Sequence, residues 1–276
     1  MDLAVDLHLH TNRSDGFYSP SDIVFKAKKV GLDIISITDH DNLAGIEEAT
    51  EIGKQIGIEI IPGVEISTDL EDREVHLLGY FIDINNDELQ KYLSFFRQER
   101  FNRASRIVKK LNNQGINISF DHVVSLANNS ALGRPHIATA LVESGYVSNF
   151  YEAFDRFIGN NCPAFERKIH VSPQSALKLI SDAGGLSFIA HPGFIPERIL
   201  MSLINYGLDG IEVLHPSHNP SQVKSYRGIV NEYCLLASGG SDFHGGKRDD
   251  ENNFGKFKIP YSDFETMKKM LIKNTV

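Results

Sequence analysis

Seven short apolar runs punctuate the chain: Leu3 to Leu9, Ile34 to Thr38, Ile58 to Ile61, Val75 to Phe81, Leu186 to Ala190, Gly210 to Leu214 and Cys234 to Ala237. Several are almost continuous in Val, Ile and Leu, the pattern of parallel strands covered on both faces. Helical patterns lie between many of them. Ser19-Pro20-Ser21-Asp22 sets a capping hydroxyl and an early proline ahead of a periodic segment from Ile23 to Val30, which Gly31 closes. A second helix is predicted over Leu43 to Ile56, ending near Gly57. A third opens at Ser172-Pro173 and stops at Gly184-Gly185. Strand–helix alternation of this kind predicts an α/β fold with a parallel sheet closed into a distorted barrel.

One stretch departs from that rhythm. Residues 85–167 contain no convincing core strand, only helical patterns rich in Phe, Arg and Lys, and are too long for a loop in a compact domain. The expected organisation is a barrel of residues 1–84 and 168–276, interrupted after the fourth strand by a helical insertion.

Composition narrows the class. Of 276 residues, 41% are hydrophobic and 23% charged, ordinary for a globular chain, and the formal net charge is −8. That balance argues against a basic surface for duplex DNA, but leaves room for a local pocket taking a small phosphorylated ligand. Cys162 and Cys234 cannot form a disulfide framework or a Cys-rich zinc site, which fits a reducing compartment. The chain opens directly on an apolar strand without the layout of a signal peptide, and no apolar run approaches the roughly 18–20 residues of a membrane span. A soluble cytoplasmic protein is expected. Nothing in the sequence specifies an oligomeric state.

The metal-capable side chains fall at strand ends. His8 and His10 close the first strand, and their i, i+2 spacing puts both imidazoles on one face. Asp39 and His40 follow the second strand and Glu65 the third. His76 lies in the fourth, His191 ends the fifth, Asp242 and His244 follow the seventh, and Asp15 sits on the loop after the first. In a parallel barrel these ends open onto one rim, where residues distant in sequence converge. Imidazole and carboxylate suit manganese, zinc and iron(II), and the set exceeds the roughly four to six ligands that one ion takes. Taken singly, each residue has an ordinary explanation as a turn cap or a hydrogen-bonded histidine. Coincidence at so many strand ends does not.

These motifs resemble the PHP family, the polymerase and histidinol phosphatase superfamily of metal-dependent phosphoesterases. The matching stretches are Asp6-Leu7-His8-Leu9-His10, Thr38-Asp39-His40-Asp41, Gly63-Val64-Glu65, His76-Leu77-Leu78-Gly79-Tyr80, Ala190-His191-Pro192 and Ser241-Asp242-Phe243-His244. The resemblance implies a distorted seven-stranded, TIM-like β/α barrel and three divalent ions, manganese foremost, with zinc and iron(II) as alternatives. His8, His10, Glu65 and Asp242 would hold the first ion. Glu65 would bridge to a second, completed by His76 and His191, and Asp15, His40 and His244 would hold the third. Some family members carry His at the Asp15 position. Glu65, His191 and Asp242 are the candidate catalytic residues: a shared carboxylate spaces two ions so that they acidify a water, and His191 or Asp242 stands beside it for proton transfer.

The inserted segment, Gly133-Arg134-Pro135-His136 and Glu212-Val213-Leu214-His215-Pro216-Ser217-His218 resemble the branch of the family that removes phosphate from nucleoside 3′,5′-bisphosphates and is associated with 5′-to-3′ trimming of short RNA. The insertion would then cap the cluster. Arg134 and His136 are candidates for phosphate binding, since guanidinium meets phosphate in a planar fork. His215 and His218 lie beyond the sixth strand and are candidate substrate contacts. Arg97, Arg100, Arg103, Arg106, Lys109 and Lys110 form a basic helical stretch whose default reading is a solvated face; Arg103, Arg106 and Lys110 share one side. Phe95, Phe96 and Phe101 are expected to pack the insertion rather than stack on bases.

Three other readings compete. Histidinol-phosphate hydrolysis uses the same cluster, although the insertion and its arginine favour a larger polyanion. An amidohydrolase also uses a barrel and His-X-His, but many such enzymes employ a bridging lysine where this chain offers Glu65 and His76. A non-catalytic binding module would be expected to lack several ligands.

Overall fold

The computed structural model describes residues 3–71, 73–127, 132–167, 169–246 and 250–274. Their contacts fall into two compact units, one of residues 1–90 and 171–276, the other of residues 91–170.

The first unit is built on a seven-stranded sheet in sequential order: β1 (Val5–Leu9), β2 (Ile34–Ile37), β3 (Glu59–Leu70), β4 (Arg73–Tyr80), β5 (Leu186–Ile189), β6 (Gly210–Leu214) and β7 (Leu236–Gly239). The sheet curls into a nearly closed barrel. Beyond β7, Leu9 bridges Phe243 and the His10 amide donates to Phe243 O at 3.0 Å, bringing the last strand's extension against the first. Gly240 permits that approach, because a Cβ there would come within 2.4 Å of His8 N. Val5, Leu7, Ile34, Leu78, Tyr80 and Phe188 belong to one buried apolar cluster that also includes Phe264 and Met267 of the last helix.

The expectation of a parallel sheet needs correction. β1–β2, β2–β3, β5–β6 and β6–β7 are parallel, but β4 runs antiparallel to both β3 and β5. The third strand does not stop at Ile61 but continues to Leu70, and Arg73 already begins β4. So short a connection can join only antiparallel strands. Past Pro62-Gly63 the strand alternates Val64, Glu65, Ile66 and Ser67, with Glu65 inside β3 rather than after it. Reversal of β4 also explains how His76, near that strand's start, reaches the rim carrying the other strands' C-terminal ends. At the seventh strand, Cys234 lies ahead of β7 in the left-handed region, with φ 54°.

The described α-helices are α1 (Pro20–Lys29), α2 (Ile46–Ile56), α3 (Asp87–Asn113), α4 (Phe120–Ala127), α5 (Arg134–Glu143), α6 (Phe150–Ala153), α7 (Pro173–Asp182), α8 (Glu197–Asn205), α9 (Pro220–Glu232) and α10 (Tyr261–Asn274). The sequence signals act as expected at α1, where Ser19 and Asp22 form a reciprocal capping box. Gly57 ends α2 in the left-handed conformation at φ 72°. None of the described helices is long and apolar enough to cross a membrane.

The second unit contains most of α3 together with α4 to α6 and a π-helical turn, Phe154–Ile158. Its core is wholly apolar: Ile107, Leu111, Val123, Ile137, Leu141 and Ile158, among others, are buried together. Phe101 sets its edge against Phe120 at 5.0 Å. The basic side of α3 meets an acidic partner within the unit. Lys110 Nζ lies 2.9 Å from Glu166 Oε1, Arg106 Nε 3.6 Å from Glu166 Oε2, and Arg103 Nε donates to Glu166 O at 2.9 Å.

Candidate metal centre

The barrel unit buries carboxylates and imidazoles around Glu65, which is 1% exposed. Its Oε1 lies 2.8 Å from His76 Nδ1 and 3.1 Å from His191 Nε2. Its Oε2 lies 3.1 Å from His40 Nδ1, 3.2 Å from His10 Nε2 and 3.4 Å from His8 Nε2. Asp242 approaches from the end of β7, with Oδ1 3.2 Å from His8 Nε2 and 3.1 Å from His10 Nε2. Asp15, on the loop after β1, brings Oδ1 to 3.3 Å from His244 Nε2, 3.8 Å from His10 Nδ1 and 3.9 Å from His40 Nε2.

Three overlapping groups arise whose donor atoms lie within 4.8 Å of one another: His8, His10, Glu65 and Asp242; His40, Glu65 and His76; and His10, Asp15, His40 and His244. The first matches the set the resemblance implies. In the second, His40 joins Glu65 and His76, while His191 meets the same Glu65 oxygen as His76. In the third, His10 accompanies the expected Asp15, His40 and His244.

The residues fit divalent cations on an observation independent of resemblance. His40 Nδ1 and His244 Nε2 are buried without a hydrogen bond of acceptable geometry among the described residues, although each lies close to a carboxylate, of Glu65 and of Asp15 respectively. Atoms that crowd one another yet do not aim at one another are arranged as ligands around a point. His244 Nδ1 is occupied, donating to Asp242 O at 2.7 Å, which turns the Nε2 lone pair inward.

The buried acids and imidazoles perturb one another strongly. Burial opposes charge on every member, but the mutual field prevails. Burial would raise the Glu65 carboxyl, yet His40, His76 and His8 hold it well below the usual range. Asp242 and Asp15 are likewise held low by their imidazole neighbours. Against burial, Asp242 and Glu65 lift His10 to about 9, and Glu65 with Glu74 lifts His76 to about 10. Burial wins at His40, which falls to about 3.

Backbone conformation contributes. His191 and Asp242 adopt left-handed φ values of 31° and 49°, and Asp41, after His40, 50°. Such non-glycine conformations cost about 1–3 kcal/mol each and collect at functional sites.

Carboxylates away from the ligand groups hold the loops. Asp39 accepts from Thr11 N at 2.7 Å, Thr11 Oγ1 at 2.6 Å and Ser14 Oγ at 2.5 Å, fixing the loop that carries Asp15. Asp250 accepts from the His244 amide, and from Gly246 N at 2.5 Å. Asp6, within β1, accepts from Ser241 N at 3.0 Å, and burial pushes its carboxyl up to about 6. Glu212 accepts from His8 Nδ1 at 2.8 Å and from His191 N at 2.6 Å. Of these anchors, sequence reasoning weighed only Asp39, as a metal-capable residue or an ordinary turn cap. The available signal was a charged residue inside an apolar strand, as at Ile211-Glu212-Val213.

The candidate substrate residues separate. His215 adjoins the cluster, with Nε2 3.3 Å from Asp242 Oδ2, while its Nδ1 accepts from Ser217 N at 3.1 Å. Both ring nitrogens are thus engaged within the protein. His218 packs 5.4 Å from the His215 ring and donates Nδ1–H to Val213 O at 3.0 Å. Arg134 and His136 belong to the helical unit. The Arg134 guanidinium lies over Phe154 at 5.5 Å and near Asn160 Oδ1 at 3.3 Å, and His136 Nδ1 accepts from Gly133 N at 3.1 Å.

A barrel rim gathering such side chains defines the class of metal-dependent hydrolases. The chain belongs to the PHP domain family, whose sequence profile matches residues 6–168. It is 35% identical to a 5′-3′ exoribonuclease of Haemophilus influenzae, over 87% of this chain and 89% of that protein. It is 31% identical to a 3′,5′-nucleoside bisphosphate phosphatase of Chromobacterium violaceum, over 87% of each chain. A phosphoribosyl 1,2-cyclic phosphate 1,2-diphosphodiesterase of Eggerthella lenta is 29% identical over 87% of this chain and 94% of its own. A crystal structure from Bifidobacterium adolescentis, of a protein inferred to be a metal-dependent phosphoesterase, superposes with a TM-score of 0.86 at 31% identity, covering 96% of this chain and 95% of that one. The protein is a phosphoester hydrolase of this family.

Proposed function

We propose that the protein removes the 3′-phosphate from nucleoside 3′,5′-bisphosphates and trims short 5′-phosphorylated RNA from its 5′ end, using three divalent ions, manganese in the first place. The single observation carrying this reading is the convergence of five imidazoles on the two oxygens of buried Glu65, with Asp242 and Asp15 beside them. The likeness to a bisphosphate phosphatase and an exoribonuclease supports the substrate class.

His8, His10, Glu65 and Asp242 would hold one ion, Glu65 with His76 and His191 a second, and Asp15, His40 and His244 a third. Divalent ions in such a site supply an acidified water and positive charge for the phosphate oxygens. The protein's part is to fix the spacing through Glu65, to exclude bulk water and to orient the phosphoryl group. His215, with both nitrogens engaged, supports Asp242 rather than the substrate. Arg134 and His136 are assigned to the second phosphate.

Phosphate release in manganese should be compared for adenosine 3′,5′-bisphosphate, histidinol phosphate, a five-membered cyclic phosphodiester of ribose and a short 5′-phosphorylated RNA. The reading expects the highest kcat/KM on the bisphosphate and measurable nucleotide release from the RNA. Preference for histidinol phosphate or the cyclic diester would refute the substrate assignment.

A further inference from the structure

Glu212 stands in the middle of β6 and is entirely buried, between Ile211 and Val213, which are buried too. A carboxylate in that position normally answers a lysine or arginine. The partners recorded for Glu212 are instead His8 Nδ1 and the backbone amide of His191. From these contacts we infer that Glu212 is a positioning residue that sets two ligands of the metal centre at once while touching no ion, an inference that rests on the metal-centre reading above.

An ionised carboxylate only accepts hydrogen bonds, so His8 must donate from Nδ1 to Glu212 Oε1. The other nitrogen then presents its lone pair inward, where Nε2 lies 3.1 Å from His10 Nε2, 3.2 Å from Asp242 Oδ1 and 3.4 Å from Glu65 Oε2. The second oxygen, Oε2, takes the amide of His191 at 2.6 Å. That residue is left-handed at φ 31° and ψ 56°, and its side chain must turn back so that Nε2 reaches Glu65 Oε1 at 3.1 Å. One side chain thereby fixes the tautomer of a ligand on β1 and the strained backbone of a ligand at the end of β5.

The substitution Glu212→Gln separates this role from simple packing, since its volume is unchanged. A backbone amide cannot reverse its polarity, so the new carbonyl oxygen keeps the His191 N–H. The amide NH2 then faces His8 Nδ1, which has to become the acceptor. His8 would carry its proton on Nε2, pointing at the ion position, and could no longer ligate there.

Manganese affinity, read from the free-ion electron paramagnetic resonance signal, should weaken by about 10- to 100-fold in Glu212→Gln, the range for partners outside the coordination shell. Nitrogen-15 spectra of the zinc-loaded wild-type protein should place the His8 proton on Nδ1. Equal manganese affinity in the two proteins would overturn the role of Glu212 alone, as would a wild-type His8 protonated on Nε2; the second result needs no variant and holds even if Glu212→Gln fails to fold. Failure of the wild-type protein to bind either ion would sink the metal-centre reading, and this proposal with it.

Discussion

The two units differ most in what they bury. In residues 1–90 and 171–276 the solvent-inaccessible side chains include Asp6, His8, His10, Asp39, Glu65, Glu212 and His244. In residues 91–170 the buried side chains are apolar throughout, among the described residues. Enclosing charge without partners is expensive, and even a paired buried ion typically adds little net stability. A second unit in the same chain shows that the fold has no general need for buried charge. The cost is concentrated in the barrel unit, where buried acids and imidazoles compensate one another.

Changes at the two kinds of core should therefore part company. Glu65→Gln should abolish manganese binding and lower turnover by on the order of a thousandfold or more, comparable with the loss of a principal electrostatic group in other enzymes. Phosphate release and metal content measured on the same folded sample would check it. Leu141→Ala, inside the helical unit, should destabilise that unit by about 3 kcal/mol through its cavity, with manganese per folded chain unchanged. Loss of metal in Leu141→Ala would erase the distinction between the units. Arg134→Ala should raise KM for the bisphosphate about tenfold to a hundredfold, the scale of a charge-assisted hydrogen bond, without altering metal content. Lys110→Ala should shift stability by less than about 1 kcal/mol, because its pair with Glu166 is partly exposed and screened by solvent. A loss of RNA binding in that variant would instead recast the basic side of α3 as functional surface.

Much of this was legible before folding. All seven strands announce themselves at least in part as apolar runs, because a strand buried on both faces is mostly apolar, even where it carries a buried acid or imidazole as β1, β3 and β6 do. The candidate ligands were legible for a related reason: His8, His191 and Asp242 sit at the ends of such runs, where imidazole and carboxylate need an explanation. The reversal of β4 was not legible in hydrophobicity, since an apolar run has no direction. Its trace lay in the few residues separating Leu70 from Arg73. Glu212, Asp6 and Asp250 escaped because they hold ligands rather than act as ligands, and their partners lie far away in sequence. His8 and Glu212, for instance, are 204 residues apart.

The most direct test is anomalous diffraction at the manganese edge from crystals soaked in saturating manganese. Three peaks are predicted, one among His8, His10, Glu65 and Asp242, one beside Glu65 with His76 and His191, and one among Asp15, His40 and His244. Crystals that take up manganese elsewhere, or show no anomalous density between these side chains, would contradict the claim that the buried acids and imidazoles exist to hold ions.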